Sequence, residues 1–242
     1  MKLLCDLGNT RLKWAFWDGA LSSFGAAPYE GENDFTSALL QLERKPSIVA
    51  AISVAPRSRR LFTEFCEHHW RLTPRWYGAS REAAGIRSLY EPAETLGADR
   101  FAALAGARAR CGPRSVCVVD CGTAITVDAL DGDGVFRGGV IMPGMAAAAE
   151  TLRRAAFALA VAEPTAVVSA LGCRTADALK GGLVLGAAGA IDRILDEQGL
   201  RLADDPLVLV TGGDAAALAP YLKSRHEIAP HLTLEGLLVM TT

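Results

Sequence analysis

Two short stretches carry residue types suited to holding phosphates and a cation. They are Asp6-Leu7-Gly8-Asn9-Thr10 and, 114 residues later, Asp120-Cys121-Gly122-Thr123-Ala124. A nucleotide's phosphates need backbone N–H groups, hydroxyl donors and a carboxylate to hold a cation. Thr10, Lys13 and Thr123 are candidate donors, although Lys13 reads equally well as a solvated strand residue. The plainer alternative is that each aspartate bonds the amides of its own turn. Two such turns in one chain favour function. Asp99-Arg100, after Gly97-Ala98, offers a different chemistry: a carboxylate for acid–base work beside a guanidinium that clamps an anionic substrate. The competing reading is helix-dipole compensation by Asp99 and a surface charge at Arg100. Tyr90, in the preceding loop, contacts the same substrate or anchors the loop. Thr211-Gly212-Gly213-Asp214 is either a tight turn capped by Asp214 or a place where backbone approaches a base or ribose. His68 and His69 fit a solvated helix end and receive no role.

The elements that position these residues follow from apolar patterning. Lys2 to Cys5 and Leu12 to Phe16 flank the first turn, and Val116 to Val119 and Ile125 to Leu130 flank the second. Each set reads as a strand, a turn at glycine and a returning strand. Ala20 to Pro28 adds a third strand, and Asp34 to Leu42 a short helix with Asp34 near its N-cap. Ser47 to Val54 is a near-continuous apolar run, expected of a strand buried on both faces. A helix over about 57–69, a short strand at Arg75-Trp76-Tyr77 and an irregular stretch over 78–94 follow. Gly97 then opens an alanine-rich helix to about Arg110. Cys111-Gly112-Pro113 ends it and gives the domain boundary: residues 1–113 and 114–242. The second half adds a strand over Val135 to Met142 and helices over about 145–157 and 175–198. Leu207 to Val210 reads as a buried strand, 226–228 as a short strand and 232–240 as a helix. This is a mixed sheet with crossover helices in each half, and the repeated hairpin implies two similar domains facing each other across a cleft.

The 242 residues suffice for two domains, and their composition, half apolar with net charge −2, is that of a globular chain. That charge gives no reason to expect nucleic-acid binding, and no apolar run is long enough for a membrane span. The start of the chain enters a strand at once, so no signal peptide is expected and the address is cytoplasmic. The six cysteines read as reduced, mostly buried thiols rather than a zinc site, since no paired CxxC occurs.

Taken in order, these stretches resemble the type III pantothenate kinases, small members of the superfamily that holds actin, hexokinase and the heat-shock chaperone ATPases. The resemblance rests on Asp6 through Lys13, Tyr90 to Arg100, Asp120 to Thr126, Gly138 to Gly144, Gly172 to Thr175 and Thr211-Gly212-Gly213. It implies two actin/ribonuclease H-like domains and ATP-dependent phosphorylation of pantothenate to 4′-phosphopantothenate, the first step of coenzyme A synthesis. By the same resemblance Asp6, Leu7, Gly8, Asn9, Thr10, Arg11, Leu12 and Lys13 form the first phosphate loop, with Asp6 orienting Mg–ATP. Asp99 is implied as the general base, and Tyr90, Gly97, Ala98, Asp99 and Arg100 as pantothenate contacts. Asp120 is implied as ligand of a monovalent cation, potassium or ammonium, and Thr123 as an ATP contact. Thr175 is similar to a threonine that reaches the substrate from the partner subunit of a homodimer. Arg174 precedes it where the family pattern has Asn. The alternatives are a kinase or phosphohydrolase of this superfamily acting on another small molecule, and a non-catalytic regulator with the same fold.

Overall fold

The computed structural model describes residues 1–28, 34–42, 44–155 and 166–242. In chain order its strands are β1 (Lys2–Leu7), β2 (Arg11–Trp17), β3 (Leu21–Pro28), β4 (Ile48–Ser53), β5 (Arg75–Trp76), β6 (Glu82–Ala83), β7 (Ile86–Ser88), β8 (Val116–Cys121), β9 (Ala124–Leu130), β10 (Val135–Pro143), β11 (Leu207–Thr211) and β12 (Glu227–Ile228). The helices are α1 (Asp34–Leu40), α2 (Pro56–Phe65), α3 (Ala98–Cys111), α4 (Met145–Ala155), α5 (Thr175–Gly199), α6 (Ala215–Leu218) and α7 (Leu232–Met240). The last residues of the helix expected over 145–157 lie outside the described residues.

The chain forms two compact units, Met1–Gly112 with His231–Thr242, and Pro113–Pro230. In the first, the sheet order is β3-β2-β1-β4-β5. Its β1 is antiparallel to β2 and parallel to β4, and β4 is parallel to β5. The apolar run of β4 is explained by burial on both faces. Leu3, Cys5, Leu7, Val49 and Ala51 pack with Phe62 and Phe65 of α2. Leu4, Ala50 and Ile52 pack on the other side with Ala98 and Ala102 of α3 and with Leu234 and Leu237 of α7.

The second unit repeats this plan with the order β12-β11-β8-β9-β10. β8 is antiparallel to β9 and parallel to β11, which is parallel to β12. Cys117, Val119 and Cys121 of β8, with Val208 and Val210 of β11, face Val184, Ile191 and Leu195 of α5. Two mixed sheets with flanking helices are therefore present, as expected from the sequence.

Two features depart from expectation. The C-terminal helix α7, assigned to the second domain by the 114–242 division, packs into the first unit instead. The cause is close backbone contact. A Cβ on Gly236 would lie 1.6 Å from the Ala102 carbonyl oxygen, and one on Gly106 would lie 2.4 Å from that of Leu232. The alanine-rich character of α3 thus serves a tight helix pair, in which side-chain size sets how closely the axes approach. The stretch over 78–94, expected to be irregular, contains the short β6–β7 hairpin, turning at Ala84 (φ 53°) and Gly85 (φ 73°).

Candidate active site

Asp6 sits near the carboxyl end of β1 and is 6 % exposed. It pairs in register with Lys13 of β2 and with Ile52 of β4. Residues paired across strands share a face. Asp6 and Lys13 therefore project from the side of the sheet on which Ile52 packs against Ala98 of α3. The beginning of α3 approaches the end of β4 closely: a Cβ on Gly97 would be 3.8 Å from Val54 Cγ1. The first unit thus gathers Asp6, Lys13 and the Gly97–Arg100 segment at the carboxyl ends of β1 and β4, where open α/β sheets place their ligands.

Gly97 has a second task. A side chain there would meet Asp99 Oδ1 at 2.6 Å, so glycine leaves room for that carboxylate. Asp99 Oδ1 accepts the Arg100 backbone N–H at 2.8 Å in the first turn of α3, where the helix dipole favours negative charge. Its Oδ2 has no hydrogen-bond partner among the described residues. Arg100 is buried, and its guanidinium carbon lies 5.6 Å from the centre of the Tyr90 ring. This is a cation–π contact that joins two residues expected to share a substrate. Ala98 is buried in the core with Ile52 and Leu234.

The first turn itself is open. Gly8 N–H donates to the Arg11 carbonyl at 3.1 Å, and Asn9, Thr10 and Arg11 are exposed while Leu7 and Leu12 anchor the strands. A Cβ on Gly8 would find only that carbonyl, at 3.4 Å.

The second turn is braced. Asp120 pairs with Thr126 of β9 and Thr211 of β11, and all three project from the face turned away from α5. Gly212 (φ +96°) follows Thr211, and a Cβ on it would lie 2.5 Å from Asp120 Oδ1 and 2.4 Å from the Cys121 carbonyl oxygen. That carbonyl accepts the Asp214 N–H at 2.9 Å, and the Thr123 carbonyl accepts the Gly144 N–H at 3.1 Å. Thr211-Gly212-Gly213-Asp214 had two readings, a tight turn capped by Asp214 or a backbone approach to a base or ribose; in the structure Gly212 packs on Asp120. Cys121, beside Asp120, has its thiol pushed up to about 12 by burial and then by the Asp120 and Asp214 carboxylates, so it stays protonated. Among the described residues no group of three or more His, Cys, Asp and Glu could hold a metal ion.

Thr175 is exposed at the start of α5. The preceding Arg174 binds both carboxylate oxygens of Asp177, Nε to Oδ2 at 2.9 Å and Nη2 to Oδ1 at 2.7 Å. With the Val167 N–H, it holds the Asp177 carboxyl down to about 2. A cavity of about 840 Å³ in the second unit is lined by other residues, Arg114, Leu200, Leu207 and Glu227 among them.

A family model described as type III pantothenate kinase matches residues 2–197. A type III pantothenate kinase of Nitrosococcus oceani is 34% identical over 247 residues, covering 98% of this chain and 92% of that one. That of Methylibium petroleiphilum is 37% identical over 250 residues, with 98% and 97% covered. This chain belongs to the type III pantothenate kinase family. The fold agrees with more distant solved structures. A Campylobacter jejuni protein described as a Baf-family transcriptional activator matches with a TM-score of 0.63 at 21% identity, covering 98% of this chain and 96% of that one. The activator of 2-hydroxyisocaproyl-CoA dehydratase from Clostridium difficile, with bound ADPNP, matches at 0.57 and 11% identity, with 99% and 92% covered.

The residues available suit the ligands this kinase family implies. Asp6, Thr10 and Lys13 supply a carboxylate, a hydroxyl and an ammonium group. Asp120 sits among hydroxyl-bearing neighbours, and oxygen donors of this kind suit hard cations rather than zinc. Sequence reading included Gly144 in a matching stretch but not its packing: a Cβ there would fall 2.1 Å from the Gly122 carbonyl oxygen. It also gave no role to Thr126. The Pro-Gly before an expected helix was the only local sign of the first, and nothing local marked the second.

Proposed function

We propose that this chain transfers the γ-phosphoryl group of ATP to the primary hydroxyl of pantothenate, giving 4′-phosphopantothenate and ADP. The observation that carries this reading is the Gly97–Arg100 segment, seated beside the Asp6 strand within a chain related over its full length to type III pantothenate kinases. Asp99 Oδ2 accepts the proton of the substrate hydroxyl as its oxygen bonds to phosphorus and the bond to the ADP oxygen breaks. Anchoring Oδ1 on the helix start fixes the direction in which Oδ2 points. Arg100, held against Tyr90, meets the substrate carboxylate, and Gly97 and Ala98 line its path. Asp6 through Lys13 hold the ATP phosphates, with Asp6 orienting the magnesium they carry, and Thr123 adds a hydroxyl. Magnesium and a monovalent cation at Asp120, potassium or ammonium, supply charge neutralisation for the transferring group.

The chain works as a cytoplasmic homodimer in this reading, with Thr175 reaching the partner's substrate. Support for a partner comes from α4, which buries none of its residues, and from exposed apolar side chains nearby in sequence, Ile141 (60 %) and Leu171 (86 %). No described helix is long and apolar enough to cross a membrane.

The test is ADP release with Mg–ATP and pantothenate, run in potassium and then in sodium. Pantothenate-dependent release that falls away in sodium is expected. Release unaffected by pantothenate would overturn the assignment and favour another acceptor or a regulatory role.

A further inference from the structure

Thr126 is 8 % exposed, and its Oγ1 is buried with no hydrogen-bond partner among the described residues. Such an orphan is uncommon, because a buried hydroxyl left unpaired forfeits its bonds to water. Its place is informative. It stands directly across from Asp120, on the same face of the sheet, where opposed Cβ atoms are about 5 Å apart. Thr211 flanks Asp120 on the other side, and Gly212 closes against Asp120 Oδ1.

We infer that Thr126 Oγ1 is a ligand of the monovalent cation held at Asp120, a role that rests on the cation reading above. A group that satisfies this hydroxyl must also tolerate the adjacent carboxylate. A phosphate oxygen is repelled by it, whereas a cation draws on both oxygens at once. The Thr126 hydroxyl is a buried oxygen beside Asp120 whose lone pairs accept no protein hydrogen bond among the described residues. A neutral oxygen beside one carboxylate suits a weakly charged hard cation. Thr126 thereby contributes to the affinity for potassium without touching the reacting atoms.

The experiment follows thermal unfolding, without substrates, through potassium titrations against a sodium background, and thallium(I) binding by ²⁰⁵Tl NMR as a direct readout. Wild type, Thr126→Val, Thr126→Ser and Asp120→Asn are compared, with Thr126→Ala in reserve should the valine variant not fold. Thr126→Val is expected to be at least as stable as wild type in sodium, because it removes an unpaired polar atom. It should raise the half-saturating potassium concentration about tenfold and weaken thallium binding, while Thr126→Ser stays near wild type. Asp120→Asn should abolish both responses. Loss in Asp120→Asn with a wild-type titration in Thr126→Val would overturn the role of Thr126 alone. A wild-type protein with no potassium-specific stabilisation, or an Asp120→Asn variant that keeps it, would overturn the cation reading together with this inference.

Discussion

The Asp6 and Asp120 turns occupy equivalent places in the two units: the Leu7 carbonyl accepts the Val54 N–H at 3.4 Å and the Cys121 carbonyl accepts the Asp214 N–H at 2.9 Å. Yet the second turn is packed more closely by glycine backbone. Around Gly8 the nearest obstacle to a side chain is the hairpin's own Arg11 carbonyl. A Cβ on Gly122 would meet contacts much like those at Gly8, the nearest at 3.5 Å, but the backbone of Gly144 presses on the Gly122 and Thr123 carbonyls and that of Gly212 on Asp120 Oδ1 and the Cys121 carbonyl. Duplicate topology has therefore been put to different uses. The first turn presents exposed Asn9, Thr10 and Arg11, which in the proposed function settle on ATP, and the second packs Gly212 against the Asp120 carboxylate. Preorganisation lowers the ordering that binding would otherwise require.

Breaking the brace should have the largest effect on stability. Gly212→Ala places a Cβ against the Cys121 carbonyl at a left-handed φ of +96°. Destabilisation on the order of 3 kcal/mol is expected, together with lost potassium activation as Asp120 is displaced. Chemical denaturation checks the first and turnover in potassium against sodium the second. Retained stability would mean that the second turn is no more constrained than the first.

Gly8→Ala sharpens the contrast from the other side. The site has room for a methyl group, so the melting temperature should change little, while KM for ATP rises about tenfold. An unchanged KM would leave that glycine without a ligand-binding role.

The smallest effect concerns the clamp at the start of α5. Asp177 has its carboxyl held at about 2, chiefly by Arg174, against about 4 when unfolded. A depressed carboxylate stabilises the fold above its unfolded value, and that contribution fades as pH falls from about 4 toward about 2. Melting curves of wild type and Asp177→Asn should therefore converge across this window. Parallel curves would show that the pair contributes nothing.

Much of this architecture was legible because buried strands write themselves as apolar runs. Val49 to Ile52 and Val208 to Val210, the centres of two such runs, are buried at every position, and the Asp-x-Gly spacing marks where each hairpin turns. What stayed hidden depends on partners distant in sequence. The segment Leu232 to Met240 is apolar nearly all round, so no face announces which core it joins, and Gly236 acquires meaning only against Ala102. The β6–β7 hairpin turns at Ala84-Gly85 rather than at Asn-Gly, which weakens its signal. At the site, the residue types of Asp6, Asp99 and Asp120 were readable. The task of Gly97 in making room for a carboxylate was not, nor was the orphaned hydroxyl of Thr126, since both are properties of three-dimensional neighbours.

In the proposed reaction Asp99 Oδ2 takes the proton from pantothenate. The most direct test of this step is the single-turnover rate of Asp99→Asn at saturating Mg–ATP, pantothenate and potassium, with binding of both substrates measured in parallel. Binding close to wild type with turnover reduced about a hundredfold or more is the predicted result. Turnover near wild type would contradict the account and remove Asp99 from the chemistry.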